Sequence, residues 1–317
     1  MKIAVRTPNW LGDIAFNLPM INALLKKHEV TIITKTSFAE IFDGFDVVTF
    51  SKKKEQYTKH WNLRGLFDYY IITPISFSSA LAAFISGAKN RVGFSFDLRD
   101  LLLTRKIKIP PDWKQKHTTE TYFLLYEELV DKNEVKFEIQ IPEKYRVRGT
   151  ELLNTCGLSP HKYVSCAPFA QFGTAKEWYT PYFLELSKLL IKLGLKLVIL
   201  GSKNDENRAR ELEDENTINL SGKTSIWEAV YIARNSIAFI GNDSGLTHLS
   251  ALAGSNVVAI FGPTPVNWTR PIGPRVRVLK KDLPCSPCEK RECPFKTKEC
   301  MKLVKPEDVF EIIKSLL

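Results

Sequence analysis

The chain has 317 residues, with 45 Lys+Arg against 35 Asp+Glu for a formal charge of +10, and 44% hydrophobic and 25% charged residues. This composition excludes a disordered chain, and the length exceeds what one ordinary core organises, so two domains of roughly 150 residues each are expected. The positive balance points to an anionic partner (nucleic acid, an anionic membrane surface or a phosphorylated substrate) or to no more than a lysine-rich solvated surface.

Met1 to Arg6 enters a short apolar run and then meets Pro8 and Asp13 without a long apolar h-region. It therefore reads as a first strand and not as a signal peptide. The most apolar stretch, 69–88, is interrupted by Pro74 and several serines, which argues against a membrane span. A cytoplasmic protein with at most peripheral membrane contact is expected.

Short β-branched runs alternate with helical periodicity along the chain, the pattern of parallel βα units. Strands are predicted at 2–5, 30–34 and 68–72, and helices at 14–27, 78–86 and 118–130. A charged helix over 144–156 leads to the breakers Gly157, Ser159 and Pro160. A second series then begins, with strands at 163–167, 195–200, 237–240 and 257–261 and helices at 181–193, 225–234 and 246–253. The expected fold class is α/β, with two Rossmann-like domains, 1–156 and 157–317, and a ligand cleft between them. A last helix, 306–316, is expected to return to the first domain.

Three loops at strand ends carry residues suited to chemistry. In the turn 7–13, Gly12 permits a tight bend, and the Asp13 carboxylate at the start of a helix either supports that helix or acts as a general base. In the loop 167–178, Lys176 is placed to neutralise a phosphate or a leaving diphosphate, or is a solvated surface lysine. In the third, a buried strand ends at Gly241 and a helix begins after Ser244. Asp243 or Ser244 can cap that helix, and Gly245 admits a ligand to its free N–H groups and positive dipole end, where a pyrophosphate is stabilised. His248, one turn on, either faces the same site or is a buried helix histidine.

Four of the six cysteines cluster as Cys285, Cys288, Cys293 and Cys300, a C-x2-C-x4-C-x6-C pattern. Four thiolates over so short a span suit a tetrahedral Zn²⁺ site, with disulfides or free thiols as the chemical alternatives. Cys156 and Cys166 read as ordinary buried cysteines. No Asp-x-Asp motif stands at a strand end, since 213–215 lies in a polar run, so catalysis without a divalent ion is expected. The first strand is followed by Pro8-Asn9-Trp10-Leu11-Gly12 and not G-x-G-x-x-G, which argues against a nicotinamide dehydrogenase. Basic residues spread along the chain, with no RNP-like aromatic motif, argue against a nucleic-acid partner.

The Asn9-Trp10-Leu11-Gly12-Asp13 turn, the 173–178 loop, Asn242-Asp243-Ser244-Gly245-Leu246-Thr247-His248 and Phe261-Gly262-Pro263-Thr264 together resemble the lipopolysaccharide heptosyltransferase family of glycosyltransferases. The resemblance spans essentially the whole chain, and its Asn-Trp-Leu-Gly-Asp and Asn-Asp-Ser-Gly-Leu forms look more like heptosyltransferase II than heptosyltransferase I members. It implies a GT-B fold, an acceptor-binding first domain, a donor-binding second domain and inverting transfer from ADP-heptose to a heptosylated, phosphorylated lipid A inner core. By the same resemblance Asp13 is the base and Lys176 balances the departing diphosphate. Gly12, Thr174, Lys176, Glu228, Asp243, Ser244, Gly245 and His248 line the donor, with Glu228 on the ribose. Another nucleotide sugar or acceptor within the family is the alternative. The cysteine segment resembles a family insertion that pins a loop beside the donor site. Asn9, Trp10, Arg64 and Arg99 are the acceptor-side candidates, the arginines because guanidinium groups read phosphate oxygens in a fixed geometry. The implied location is the inner face of the cytoplasmic membrane, against its anionic lipid.

Overall fold

The computed structural model describes residues 1–317, which divide into two compact units, Met1–Phe137 and Glu138–Leu317. In the first, β1 (Lys2–Arg6), β2 (Glu29–Lys35), β3 (Asp46–Phe50), β4 (Tyr69–Ile72), β5 (Asn90–Phe94) and β6 (Arg105–Ile107) form one parallel sheet in the order β3-β2-β1-β4-β5-β6. Its helices are α1 (Leu11–Leu25), α2 (Lys53–Asn62), α3 (Phe77–Ile85) and α4 (Thr118–Phe123).

In the second unit β7 (Tyr163–Ala167), β8 (Lys196–Ile199), β9 (Thr217–Asn219), β10 (Phe239–Asn242), β11 (Val257–Phe261) and β12 (Val276–Lys280) are again all parallel, in the order β12-β11-β10-β7-β8-β9. Helices α5 (Glu143–Thr155), α6 (Pro181–Ile191), α7 (Glu206–Arg210), α8 (Ile226–Arg234), α9 (Gly245–Leu252), α10 (Val266–Thr269), α11 (Glu299–Lys302) and α12 (Pro306–Lys314) complete it.

Both sheets follow one winding, in which the chain builds outward from a central strand in one direction and then reverses. That reversal leaves a crevice outside the carboxyl ends of two neighbouring central strands. In the first unit these are β1 and β4, and in the second β7 and β10. The central strands are buried on both faces, β7 and β11 without exception, which is why they read as continuous apolar runs.

Three sequence expectations are corrected. The division falls at 137/138 and not at 156/157, because α5 packs on α8, with Leu153 and Leu158 in the same core as Ala229, Ile232 and Ala233. The helix expected over 118–130 stops at Phe123. Beyond it the chain tightens into i→i+3 turns (Leu125 N to Tyr122 O, Tyr126 N to Phe123 O), which aim the buried Tyr126 hydroxyl at Asn17 Oδ1, 2.9 Å away. Finally, α12 belongs to the second unit. It packs on α6, and Val309 and Ile313 share a core with Trp178, Phe183 and Leu186.

Ile313 is fully buried there, so Ile313→Ala is expected to cost about 2–5 kcal/mol in urea unfolding of the whole chain, the usual range for a large-to-small core change.

Candidate functional site

In the second unit the loop 168–178 leaves β7 and the turn 242–245 leaves β10, so the two flank the reversal point of the sheet. The Asn242 side chain ties them together. Its Nδ2 donates to Pro168 O at 2.7 Å, and its Oδ1 accepts from Trp178 N at 2.9 Å. The Trp178 ring is fully buried and donates through Nε1 to Val304 O, which anchors the end of the loop in the core.

Next to it sits a buried charge cluster. Lys176 Nζ donates to Asp243 Oδ2 at 2.5 Å, His248 Nε2 donates to Oδ1 at 3.1 Å, and Thr269 Oγ1 donates to Oδ2 at 3.2 Å. Burial alone would raise the Asp243 carboxyl, but the His248 hydrogen bond and the Lys176 charge hold it well below the usual carboxylate range. The ionised carboxylate accepts only, which fixes the His248 tautomer with its proton on Nε2. Lys176 also lies over the Phe172 ring, 4.7 Å from its centroid.

Ser244 is the N-cap residue of α9, yet its side chain makes no capping bond and pairs with Thr247 Oγ1 at 3.0 Å. The first turn of α9 thus meets the reversal point uncapped by any side chain, the arrangement that binds anions through backbone N–H groups. Gly241 is required just before it, because a Cβ there would lie 2.2 Å from Thr247 Oγ1.

The other donor-side candidates are placed as follows. Thr174 is exposed on the short 3-10 turn Thr174–Lys176. Glu228 closes a capping box on α8, its Oε2 accepting from Ser225 N at 2.8 Å, so a structural task accompanies any ligand role. Sequence reasoning missed Glu177, which is 2% exposed and pairs with Arg208 through both oxygens at 3.0 and 2.6 Å while accepting from Ala170 N. It braces the same loop across 31 residues of sequence, a distance that leaves no local signal.

The cysteine segment lies against this loop. Arg291 O accepts from Ala175 N at 3.0 Å, the Arg291 guanidinium stacks on Phe172, and a Cβ on Gly173 would lie 2.3 Å from Arg291 O. Ser286 and Glu289 donate to the backbone of Gly262 and Pro263. All six cysteines are free thiols. Burial pushes the half-buried Cys300 thiol up, and the charges of Cys288, Cys285 and Cys293 push it further. No three His, Cys, Asp or Glu side chains stand in metal-holding geometry.

In the first unit the turn 7–13 leaves β1 beside the end of β4, where Thr73 Oγ1 donates to Arg6 O at 2.7 Å. Gly12 and Asp13 open α1, with Trp10 as its N-cap residue and 46% exposed. The Asp13 carboxylate accepts from the Tyr122 hydroxyl, whose pKa burial first, and then the Asp13 charge and this bond, push well above its ordinary value. Tyr122 was not singled out from sequence, nor was Arg6. Arg6 is 3% exposed, donates from Nη2 to Asn9 Oδ1 at 2.8 Å and lies over Phe50, and burial lowers its pKa to about 10. Arg99 is buried and donates from Nη1 to Pro74 O at 2.9 Å, with Nε and Nη2 unbonded. Arg64 lies over the Trp61 ring, away from the turn 7–13 in sequence, and nothing joins it to Asn9 or Trp10.

A family model, glycosyltransferase family 9 (heptosyltransferase), matches residues 58–299. The lipooligosaccharide heptosyltransferase 2 of Campylobacter jejuni subsp. jejuni serotype O:2 is 29% identical over 334 aligned residues, covering 100% of this chain and 98% of that protein. The lipopolysaccharide heptosyltransferase 2 of Escherichia coli K12 is 26% identical over 312 residues, 88% of each chain. Among solved structures, the Escherichia coli ADP-heptose lps heptosyltransferase II superposes with a TM-score of 0.84 at 23% identity, over 100% of this chain and 98% of that one. The two doubly wound units thus form a GT-B fold.

The buried pairing makes a stability prediction. Asp243→Asn strands Lys176 and His248 and is expected to cost about 3–5 kcal/mol, read by urea unfolding at neutral pH. A depressed carboxyl contributes stability above its unfolded value, 3.8, and loses it as pH falls towards the folded value. The gap between parent and variant is therefore expected to narrow only below about pH 4.

Proposed function

The chain belongs to glycosyltransferase family 9, and from that premise we propose that it transfers heptose from ADP-heptose to the heptosylated inner core of a lipopolysaccharide acceptor. The observation that carries this reading is the uncapped first turn of α9 at the reversal point of the second sheet, with Lys176 beside it on Asp243. That turn suits a diphosphate, since its N–H groups and positive dipole end meet negative charge. The names of the relatives, heptosyltransferase 2 in each case given above, supply the sugar.

In the proposed reaction the Asp13 carboxylate takes the proton from an acceptor hydroxyl, and that oxygen forms a bond to the anomeric carbon of the donor. The bond from that carbon to the diphosphate oxygen breaks on the opposite face, so configuration inverts and ADP leaves with the electron pair. Lys176 and the α9 N-terminus stabilise the charge that develops on the diphosphate. The reading needs no divalent ion, because these groups already provide the positive charge. Gly12, Thr174, Ser244, Gly245 and His248 line the donor, and Glu228 meets the ribose in addition to capping α8.

On the acceptor side, Asn9 and Trp10 stand in the same turn as Asp13, and Arg99 has two buried nitrogens without partners that suit a phosphate oxygen. Arg64 joins this group as an outer phosphate contact. The acceptor is lipid-borne, so the enzyme works at the inner face of the cytoplasmic membrane. No helix is long and apolar enough to cross a membrane, so the association is peripheral in this reading. For the cysteine segment we propose a structural zinc on Cys285, Cys288, Cys293 and Cys300 that steadies the loop 172–175 through Arg291. Its support is the thiol donor set and its close spacing in the sequence, and no catalytic step depends on it.

The test is transfer from ADP-heptose to a mono-heptosylated lipid A core in chelator-treated protein. Parent enzyme is expected to be active, and Asp13→Asn to lose on the order of 10²–10⁴ in kcat with ADP affinity kept. Equal activity in the variant would remove Asp13 from the base role, and ADP binding without transfer would point to another sugar or acceptor in the family. Tyr122→Phe, which removes only the hydroxyl bonded to Asp13, is expected to lower kcat by about tenfold and to shift the acidic limb of the pH profile upward. Metal analysis of protein purified without chelator is expected to find zinc at one per chain, and four titratable thiols with no metal would overturn that assignment.

A further inference from the structure

The first unit leaves one helical stripe uncovered. Helix α3 buries Ser79, Ala80, Ala82 and Ala83 against the sheet, yet Phe77, Leu81 and Phe84 recur at i, i+4 and i+7 on another side. Phe77 and Phe84 are each about half exposed. The 3-10 turn Asp97–Leu102 packs beside α3 and adds Leu98 and Leu101, 71% and 80% exposed, and α2, which also packs on α3, adds Trp61 at 61%. Single exposed apolar residues are normal on a protein surface, but neighbouring elements that expose several aromatic and leucine side chains mark an interaction surface.

The charge around the stripe says what covers it. Residues 51–108, the segment that carries the stripe, hold eleven Lys and Arg against four Asp and Glu. Two of the four acids, Glu55 and Asp68, are already paired with Lys59 and Lys89. Arginines interleave with the rings: Arg64 lies over Trp61 at 5.0 Å and Arg91 over Phe84 at 5.4 Å. A soluble partner matched to an apolar stripe has no need of this excess of cations, whereas lipid phosphates do.

We propose that this face of α3, with Trp61, Leu98 and Leu101 beside it, docks the first unit on an anionic bilayer. The apolar side chains enter the headgroup boundary, and the surrounding lysines and arginines meet lipid phosphates. The proposal builds on the reading of a lipid-borne acceptor and names the surface that meets its membrane. It is tested without any sugar, so its failure leaves that reading untouched.

The experiment is co-sedimentation of the full chain with phosphatidylcholine vesicles, with and without phosphatidylglycerol. Binding is expected only to the anionic vesicles and to weaken with salt. Phe84→Ser with Leu101→Ser removes two anchors and is expected to lower vesicle affinity on the order of a hundredfold, with an unchanged unfolding midpoint. A second variant, Lys52→Glu with Lys53→Glu, keeps the apolar stripe and is expected to lose the preference for phosphatidylglycerol. Absence of binding to either vesicle, equal binding to both, or parent-like binding by both variants would overturn the proposal. So would a self-associated parent that Phe84→Ser with Leu101→Ser makes monomeric, since a second copy would then be the occupant.

Discussion

The second unit is organised around one buried carboxylate. Asp243 is 6% exposed, and an ionised group at that depth persists only with its oxygens satisfied. The three groups that satisfy it come from separate places: Lys176 from the loop after β7, His248 from α9 and Thr269 from the end of α10. The cost of burying the charge therefore becomes a geometric constraint on three segments at once. Asn242, its neighbour in sequence, repeats the device in neutral form by bridging Pro168 and Trp178. Between them the two side chains fix the loop 168–178 relative to the N-terminus of α9.

This fixing matters because of where the sheet puts it. A doubly wound sheet opens a crevice where its winding reverses, and in the second unit the two loops that flank the crevice are those that Asn242 and Asp243 join. Lys176 is consequently held at the crevice before any ligand arrives, so little side-chain entropy remains to be lost on binding. Glu177 with Arg208, and Arg291 through its carbonyl on Ala175, brace the loop from two other sides. The close approach of Arg291 O is what demands glycine at position 173.

The central strands and the three strand-end loops were legible in the sequence because their signals are local. A fully buried parallel strand is an apolar run, and a Gly-containing turn between strand and helix announces itself by composition. The strands β3, β5, β6, β9 and β12 escaped because they sit away from the reversal point and mix polar with apolar residues, as in Asn90-Arg91-Val92-Gly93-Phe94. The end of α4 escaped because its termination follows from a tertiary bond, Tyr126 to Asn17, that joins positions 109 residues apart. The domain division escaped for a related reason: Gly157 and Pro160 do break the chain, but the helix before them is held by α8, far ahead in sequence. In the sites, residue types that advertise chemistry were found, whereas Tyr122 on Asp13, Arg208 on Glu177 and Arg6 on Asn9 were not, since each acquires its role only from its partner.

The two units treat buried charge in opposite ways. In the second, buried Asp243 and Glu177 each meet a cation, so the loops are rigid and electrically balanced before a ligand binds. In the first, Arg6 and Arg99 are buried with only carbonyl and amide oxygens as acceptors, and Nε of both remains without a hydrogen bond. A guanidinium is the cation best able to tolerate such a site, being delocalised and weakly hydrated, but its unpaired donors still carry a desolvation cost. An anion reaching those donors would relieve it, so the first unit gains more from an incoming negative group than the second does. That asymmetry is consistent with the proposed division of labour, a diphosphate in the prepared crevice of the second unit and a single phosphate oxygen of the acceptor at the buried guanidinium donors of the first.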